Sequence, residues 1–348
     1  AYGTKSNEWY TGHVLTYSLN KKKNSPFEFP MRNVTFEVSR DIMSPSDDNL
    51  QHNKDNIFMT FRAATQDEMF LYHRQRLAFT YETDWGLRFN TGIRWQSNRT
   101  AGNLHYFTLD GNEVKKIRMT DINVGINYNP GVTYVNTKQQ RLPINLDSPE
   151  IGISHTMGFK GFMGGQYHSN ITKVSIYKRQ WLGSFGYLDF HAVGQAQCNK
   201  VPFPMLILPP VNLSYFESES SVSLMRDWEF LNDRQVFASL SWDMNGKLLN
   251  RIPLIKKLKW REYFAVKGVW GNLTDKNNPY LEKNQGDTEL FKFPSKSHVM
   301  NNTPYWECVA GVHNIFKFFA VEYVRRLTYL NNEDISKWGI RFGFSMTF

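Results

Sequence analysis

"KWGIRFGFSMTF", residues 337–348, alternates without a break. Trp338, Ile340, Phe342, Phe344, Met346 and Phe348 share one side. Gly339, Arg341, Gly343, Ser345 and Thr347 share the other. A period of two is a strand with two unlike faces. Here one face is large and apolar and the other is small or polar. Such a strand suits the core of a soluble sandwich, or the wall of a membrane barrel with lipid outside and a wet lumen inside.

The pattern recurs along the chain. "LRFNTGIRW" (87–95) sets Leu87, Phe89, Thr91, Ile93 and Trp95 against Arg88, Asn90, Gly92 and Arg94. "TDINVGINYNPG" (120–131) sets Ile122, Val124, Ile126 and Tyr128 against Asp121, Asn123, Gly125 and Asn127. "RLAFTYETD" (76–84), "RNVTFEVSR" (32–40) and "QVFASLSWDM" (235–244) repeat it. Sandwich strands run to about five or six residues. These segments run to roughly ten or more, the length that crosses a bilayer at a tilt. The second face carries charge in strand after strand, which points to a lumen. The fold expected is all-β, a closed antiparallel transmembrane β-barrel.

Counting back from the C-terminus predicts strands near 337–348, 317–327, 303–313, 258–272, 234–246, 183–197, 167–181, 149–160, 118–129, 86–97, 71–83, 55–64, 31–41 and 7–18. Residues 1–3 form a stub of one more. About fourteen strands and a stub imply an even total of about sixteen, with the N-terminal strand or strands incomplete. The turns at 4–7, 84–86, 182–184 and 314–317 are tight. The connections 98–117, 198–233 and 273–302 are long. That asymmetry puts short turns in the periplasm and long loops outside. The connections 130–148 and 247–257 are long for periplasmic turns. Residues 1–348 read as one barrel domain. "AYG", followed by the turn "TKSNE", reads as the end of a strand, so the natural N-terminus is expected to lie upstream.

Composition agrees. The 348 residues contain no apolar run of the length a transmembrane helix needs. Aromatic residues make up 15%, which suits the girdles at the edges of a barrel's apolar band. The net charge of +9 is scattered, without the basic stripe or module of a nucleic-acid binder, so no nucleic-acid partner is expected. Cys198 and Cys308 make neither a disulfide framework nor a zinc site. No nucleophile elbow, zinc-protease helix or phosphate loop appears, and His191 has no positioned nucleophile beside it. No catalytic, cofactor or metal site is expected.

Arg88, Arg94, Asp121, Lys173, Arg179, Asp243 and Glu322 all fall on the lumen side. They read as paired charges that fill and rigidify the barrel, with a permeation path as the sharper alternative. "FPMLILPP" (203–210) is an apolar stretch inside the 198–233 connection. It is either a plug in the mouth of the barrel or a docking segment for a partner. Its prolines forbid a regular ladder, and the connection is expected to fold partly into the lumen.

"VPFPMLILPPVNLSYF" (201–216), "FLNDRQV" (230–236), "LLNRIPLIKKLKWRE" (248–262), "DKNNPY" (275–280), "GVHNIFKFFAVEYVRRLTYL" (311–330) and "WGIRFGFSMTF" (338–348) resemble the C-terminal barrel of a Bacteroidota outer-membrane family. Its members usually carry a periplasmic carboxypeptidase-regulatory-like domain ahead of the barrel, so such a domain is expected upstream. More distantly, the chain resembles the insertase and two-partner-secretion barrel superfamily, which has sixteen strands. There a loop folded into the lumen carries a V-R-G-F/Y motif. "SVSLMRDWEF" (221–230) stands in its place, with Ser223 where the arginine would be and Leu224 where the glycine would be. The motif arginine's salt bridge does not transfer, and Arg226, Asp227, Trp228, Glu229 and Phe230 are the candidates nearby. Glu322 stands where that superfamily often has a lumenal acid.

The resemblances imply a non-enzymatic protein of a Gram-negative outer membrane. Its expected surroundings are membrane lipid and lipopolysaccharide, and its expected partners are other outer-membrane proteins or lipoproteins in an assembly for protein biogenesis, export or nutrient uptake. A stand-alone pore or receptor is the alternative, followed by a barrel-embedded hydrolase. Ile340, Phe342, Phe344, Met346 and Phe348 are expected to form the C-terminal assembly signal.

Overall fold

The computed structural model describes residues 2–3, 8–20, 25–45, 61–63, 67–136, 141–300 and 302–344. Thirteen strands form one continuous antiparallel sheet. They are β1 (Thr11–Ser18), β2 (Arg32–Met43), β3 (Glu68–Glu82), β4 (Leu87–Gly102), β5 (Lys116–Tyr128), β6 (Glu150–Gly158), β7 (Ser169–Trp181), β8 (Tyr187–Gln197), β9 (Arg234–Asp243), β10 (Arg261–Asn272), β11 (Tyr305–Ile315), β12 (Phe319–Arg326) and β13 (Trp338–Phe344). Each pairs with its neighbours in sequence, so the chain is a simple up-and-down meander. The only other ladders among the described residues are two small hairpins, and no second large sheet faces the first.

One expectation is corrected. No strand at 55–64 stands between β2 and β3, which pair directly, from Arg32 opposite Tyr81 to Met43 opposite Phe70. Of that span residues 61–63 are described, and Arg62 forms a single bridge with Ser214. The N-terminal stub pairs antiparallel with Glu8–Trp9, just ahead of β1, as the expected hairpin requires. The described residues give this sheet thirteen strands, and among them no ladder joins β1 to β13.

Register places the two faces as alternation requires. Leu77, Val124, Ile153, Phe190, Leu240 and Phe264 all point outward and stay between 40% and 51% exposed. The inward residues include Gln96, Asp121, Asp189, Ser239 and Asp243, all buried. A sheet whose apolar face is exposed and whose polar face is covered is inverted relative to a water-soluble fold.

The two ends differ. Tight turns at 83–86, 182–186 and 316–318 lie at one end. The two longer connections at that end carry local structure, which explains their length. Tyr134–Asn136 and Arg141–Pro143 form a hairpin within 129–149. Its Arg141 binds the buried Glu82 on β3 through two hydrogen bonds, one of 2.8 Å. The connection 244–260 holds a 3-10 turn at Leu249–Arg251 and a short helix at Pro253–Lys256. At the other end the connections 103–115, 198–233, 273–304 and 327–337 pack together. Leu104, Tyr106, Phe203, Leu208, Trp228 and Phe291 form part of a buried cluster there. Tyr106 sits 5.6 Å from Phe203 and 6.1 Å from Phe291, ring to ring.

Candidate functional site: a connection anchored to the inner wall

Residues 198–233 leave β8 and rejoin at β9 without entering the ladder between them. Most of the segment is buried, including Val201, Phe203, Val211, Leu213, Val222, Leu224, Phe230 and Leu231. Its prolines at 202, 204, 209 and 210 keep it out of regular structure. "FPMLILPP" packs as a plug: Phe203, Leu206 and Leu208 belong to the cluster at the long-connection end.

The inner faces of β10 to β13 hold this segment by charge. Lys267 on β10 is 1% exposed. Its ammonium donates to Glu217, to the Ser218 carbonyl at 2.6 Å and to the Ser221 carbonyl at 2.9 Å. Glu307, directly opposite Lys267 on β11, accepts the backbone N–H of Ser223 at 2.9 Å and of Leu224 at 2.7 Å. Arg341 on β13 donates to the Ser223 carbonyl at 2.5 Å. Arg326 on β12 makes a two-pronged pair with Glu229, at 3.1 and 2.5 Å, and lies over the Tyr305 ring at 4.7 Å. Glu229 also accepts from the Asn332 amide at 2.8 Å and from the Arg226 N–H at 3.1 Å. Buried ions hold only where hydrogen bonds satisfy them, and these are satisfied several times over.

Glycines on the wall make room. A Cβ at Gly271 on β10 would lie 2.4 Å from the Asn232 side chain. One at Gly339 on β13 would lie 3.1 Å from Leu224 and 2.9 Å from the Arg341 guanidinium.

The motif region therefore works differently from the superfamily pattern. At Ser223 and Leu224, where an arginine side chain is missing, two backbone N–H groups meet the wall carboxylate instead. Arg226 does not reach a wall acid; it donates to the Lys296 carbonyl at 2.7 Å. Asp227 bonds the Ser44 hydroxyl. Trp228, at a φ of 58°, donates its indole N–H to the Glu68 carbonyl at 3.3 Å. Phe230 packs 4.8 Å from Tyr329. The long-range charge pairs run from loop acid to wall base.

The other inward charges form pairs. Arg94 binds Asp121 at 2.9 Å and Arg179 binds Asp189 at 2.5 Å. Arg88 faces Glu150 at 3.8 Å. Glu322 meets His313 at 2.8 Å. Asp243 caps the turn after β9 by accepting the Asn245 N–H at 2.8 Å. Lys173 has no hydrogen-bond or ion-pair partner among the described residues. Lys267, Glu307, Arg326 and Arg341 escaped sequence reading, although each has the parity of an inward residue. Their loop partners Glu217 and Glu229 have no such signal, because a connection has no period.

Between the outer connections, Lys200 reaches Asp287 at 2.6 Å. Partial burial pushes the Asp287 carboxyl up. The Lys200 ammonium and the N–H of Glu289 and Leu290 outweigh it and hold the carboxyl below its usual range.

On β13, Ile340 and Phe344 point outward and are exposed, while Met346 and Phe348 lie outside the described residues. Phe342 meets the connection instead of another wall strand. Its N–H donates to the Tyr215 carbonyl and its carbonyl accepts the Glu217 N–H, both at 2.8 Å. Phe216 stacks on Phe344 at 5.4 Å. On its other side the segment bonds residues 61–63: Tyr215 donates to Phe61 at 2.8 Å, and Ala63 donates to Leu213 at 2.7 Å.

Residues 1–201 match the C-terminal domain of a family of unknown function, DUF5686, over more than half the chain. The chain belongs to this family. No curated protein matches it. In structure, this member of the family is similar to BamA from Haemophilus ducreyi lacking POTRA domains 1–3, with a TM-score of 0.54 at 10% identity. That likeness covers 96% of this chain and 62% of the other. CdiB from Escherichia coli gives a TM-score of 0.46 at 12% identity, over 89% of this chain and 49% of that one. CdiB from Acinetobacter baumannii gives 0.47 at 11% identity, over 95% and 49%. The chain thus spans about half to three fifths of the length of these proteins.

Proposed function

We propose that this chain is a non-enzymatic β-barrel of the outer membrane, working in a multi-protein assembly for protein biogenesis or export. One observation carries the membrane reading: the face of the sheet that is exposed is the apolar one, strand after strand, while the polar face is covered. Lipid and lipopolysaccharide are the surroundings that favour such a face. In hydrocarbon an open edge strands backbone groups at several kcal/mol each, so the sheet closes there, by pairing its edges or by joining further strands. The resemblance to the Bacteroidota family adds a periplasmic domain ahead of the barrel.

The assembly role rests on the fold shared with BamA and on the anchored connection. A segment held by several buried ion pairs is a rigid internal part rather than a free surface loop. The test is affinity purification of the tagged protein from native membranes under mild detergent. The expected result is recovery with other outer-membrane proteins or lipoproteins in fixed ratio. Recovery from the soluble fraction would overturn the membrane reading. A lone barrel that conducts ions in planar bilayers would favour the stand-alone pore.

A further inference from the structure

The anchored connection covers β10 to β13 and leaves β3 to β8 facing open space. A cavity of about 570 Å³ lies there, within the range of small-molecule sites. Its charged lining is one-sided: Arg74, Arg76, Arg94 and Lys173 against a single acid, Asp121. Arg94 already neutralises Asp121. Arg76 and Lys173 have no hydrogen-bond or ion-pair partner among the described residues. Both cations face this cavity, and Arg76 keeps contact with solvent.

The space narrows toward the short-turn end. A neck of about 20 Å³, lined by Lys173 and His191, leads to a second cavity of about 470 Å³. Glu150, Asp189 and Glu219 line that cavity among serines, and Arg88 and Arg179 face Glu150 and Asp189. An anion entering the first cavity therefore meets cations and then a narrow neck.

Register sets the size of the ligand. Arg76 lies opposite Arg94, which lies opposite Asp121; two strands further on Ser169 holds the same register through Gly158, and Lys173 lies four residues along from it. Four strand spacings of ~4.8 Å and four residues of ~3.4 Å put the two cations roughly 23 Å apart along the wall. Long side chains shorten the gap, but a single orthophosphate does not span it. We propose that this cavity binds an extended phosphate- or carboxylate-bearing polyanion, held at its two ends by Arg76 and Lys173. Asn98, Asn123 and Gln195 line the same cavity and supply neutral donors between them.

Titration calorimetry on the full chain, refolded in detergent at low ionic strength, tests this with inorganic tripolyphosphate. Saturable binding of one molecule per chain is expected, with orthophosphate binding far more weakly. Arg76→Gln and Lys173→Gln together should weaken tripolyphosphate binding more than about tenfold, each removing a charge-assisted contact. Heat-shifted migration on gels confirms that the variants are folded. If the double variant does not fold, Arg76→Gln decides alone, because its side chain is exposed and bonds nothing. The absence of saturable binding, or wild-type affinity in the folded variant, overturns the proposal. Dihexanoyl phosphatidic acid is titrated in parallel. Its binding in place of tripolyphosphate would assign the cations to a lipid headgroup and overturn the soluble ligand.

Discussion

Replacing Arg326 with methionine isolates the energetics of the anchor. Arg326 and Glu229 are both fully buried. The guanidinium makes two bonds to the carboxylate and three to the carbonyls of Leu224, Thr328 and Tyr329. Without it, Glu229 keeps the Asn332 amide and the Arg226 N–H but loses the ion-pair partner it has among the described residues. An exposed pair broken this way costs under about 1 kcal/mol. A buried one costs about 3–5 kcal/mol, because the remaining charge has no water to turn to. Arg326→Met should therefore lower unfolding stability by the larger amount. The double variant Glu229→Gln, Arg326→Met removes the charge and should recover a substantial part of it. Equilibrium denaturation of the refolded protein in micelles reads all three variants as a double-mutant cycle, and a coupling of about 1–3 kcal/mol is expected. Additive variants, or an Arg326→Met protein as stable as wild type, would refute the claim that the pair holds the segment in place.

Gly271→Val should push Asn232 away and loosen residues 198–233, seen as faster protease cleavage inside that segment while the rest of the barrel stays protected. Phe342→Ala with Phe344→Ala removes the stacking with Phe216 and Phe319; the amount of heat-shifted, membrane-inserted protein should fall more than the denaturation midpoint of molecules already folded, and equal loss in both would count against an assembly signal. The Lys200–Asp287 tie has a carboxyl whose folded value is depressed, so its stabilisation is present above the ordinary carboxylate range and is lost as the pH falls through the lower folded value. Hydrogen exchange around residues 198–203 and 287–290 should stay slow at neutral pH and quicken only in strong acid, and Lys200→Met should remove that step.

Strand positions were legible because period two is a local property. Trp338, Ile340 and Phe344 point outward as alternation demands, and β7 and β13 begin within two residues of their expected starts. The 55–64 segment misled for the same reason: Arg62 bridges Ser214, and β2 pairs directly with β3. Partners were harder to see. Arg94 and Asp121 are cross-strand neighbours and follow from register alone. Glu229 finds Arg326 across 97 residues, through a fold of the connection that no periodicity encodes. The missing motif arginine was visible at Ser223, but its replacement by two backbone N–H groups on Glu307 was not, since every residue but proline carries such a donor.

Thirteen is an odd number. In a meander whose directions alternate, the first and last of thirteen strands run the same way. A cylinder that alternates all the way round needs an even count; with these strands alone, one joint must be parallel, with the slanted, weaker bonds of that geometry. The stretch around Phe216 already runs with β13 in that sense, through a single parallel bridge, and against residues 61–63 on its other side. The chain thus places beside its last strand a short piece of its own backbone running the same way. Along that stretch the backbone groups of Phe342 that face away from β12 are already met by the chain itself.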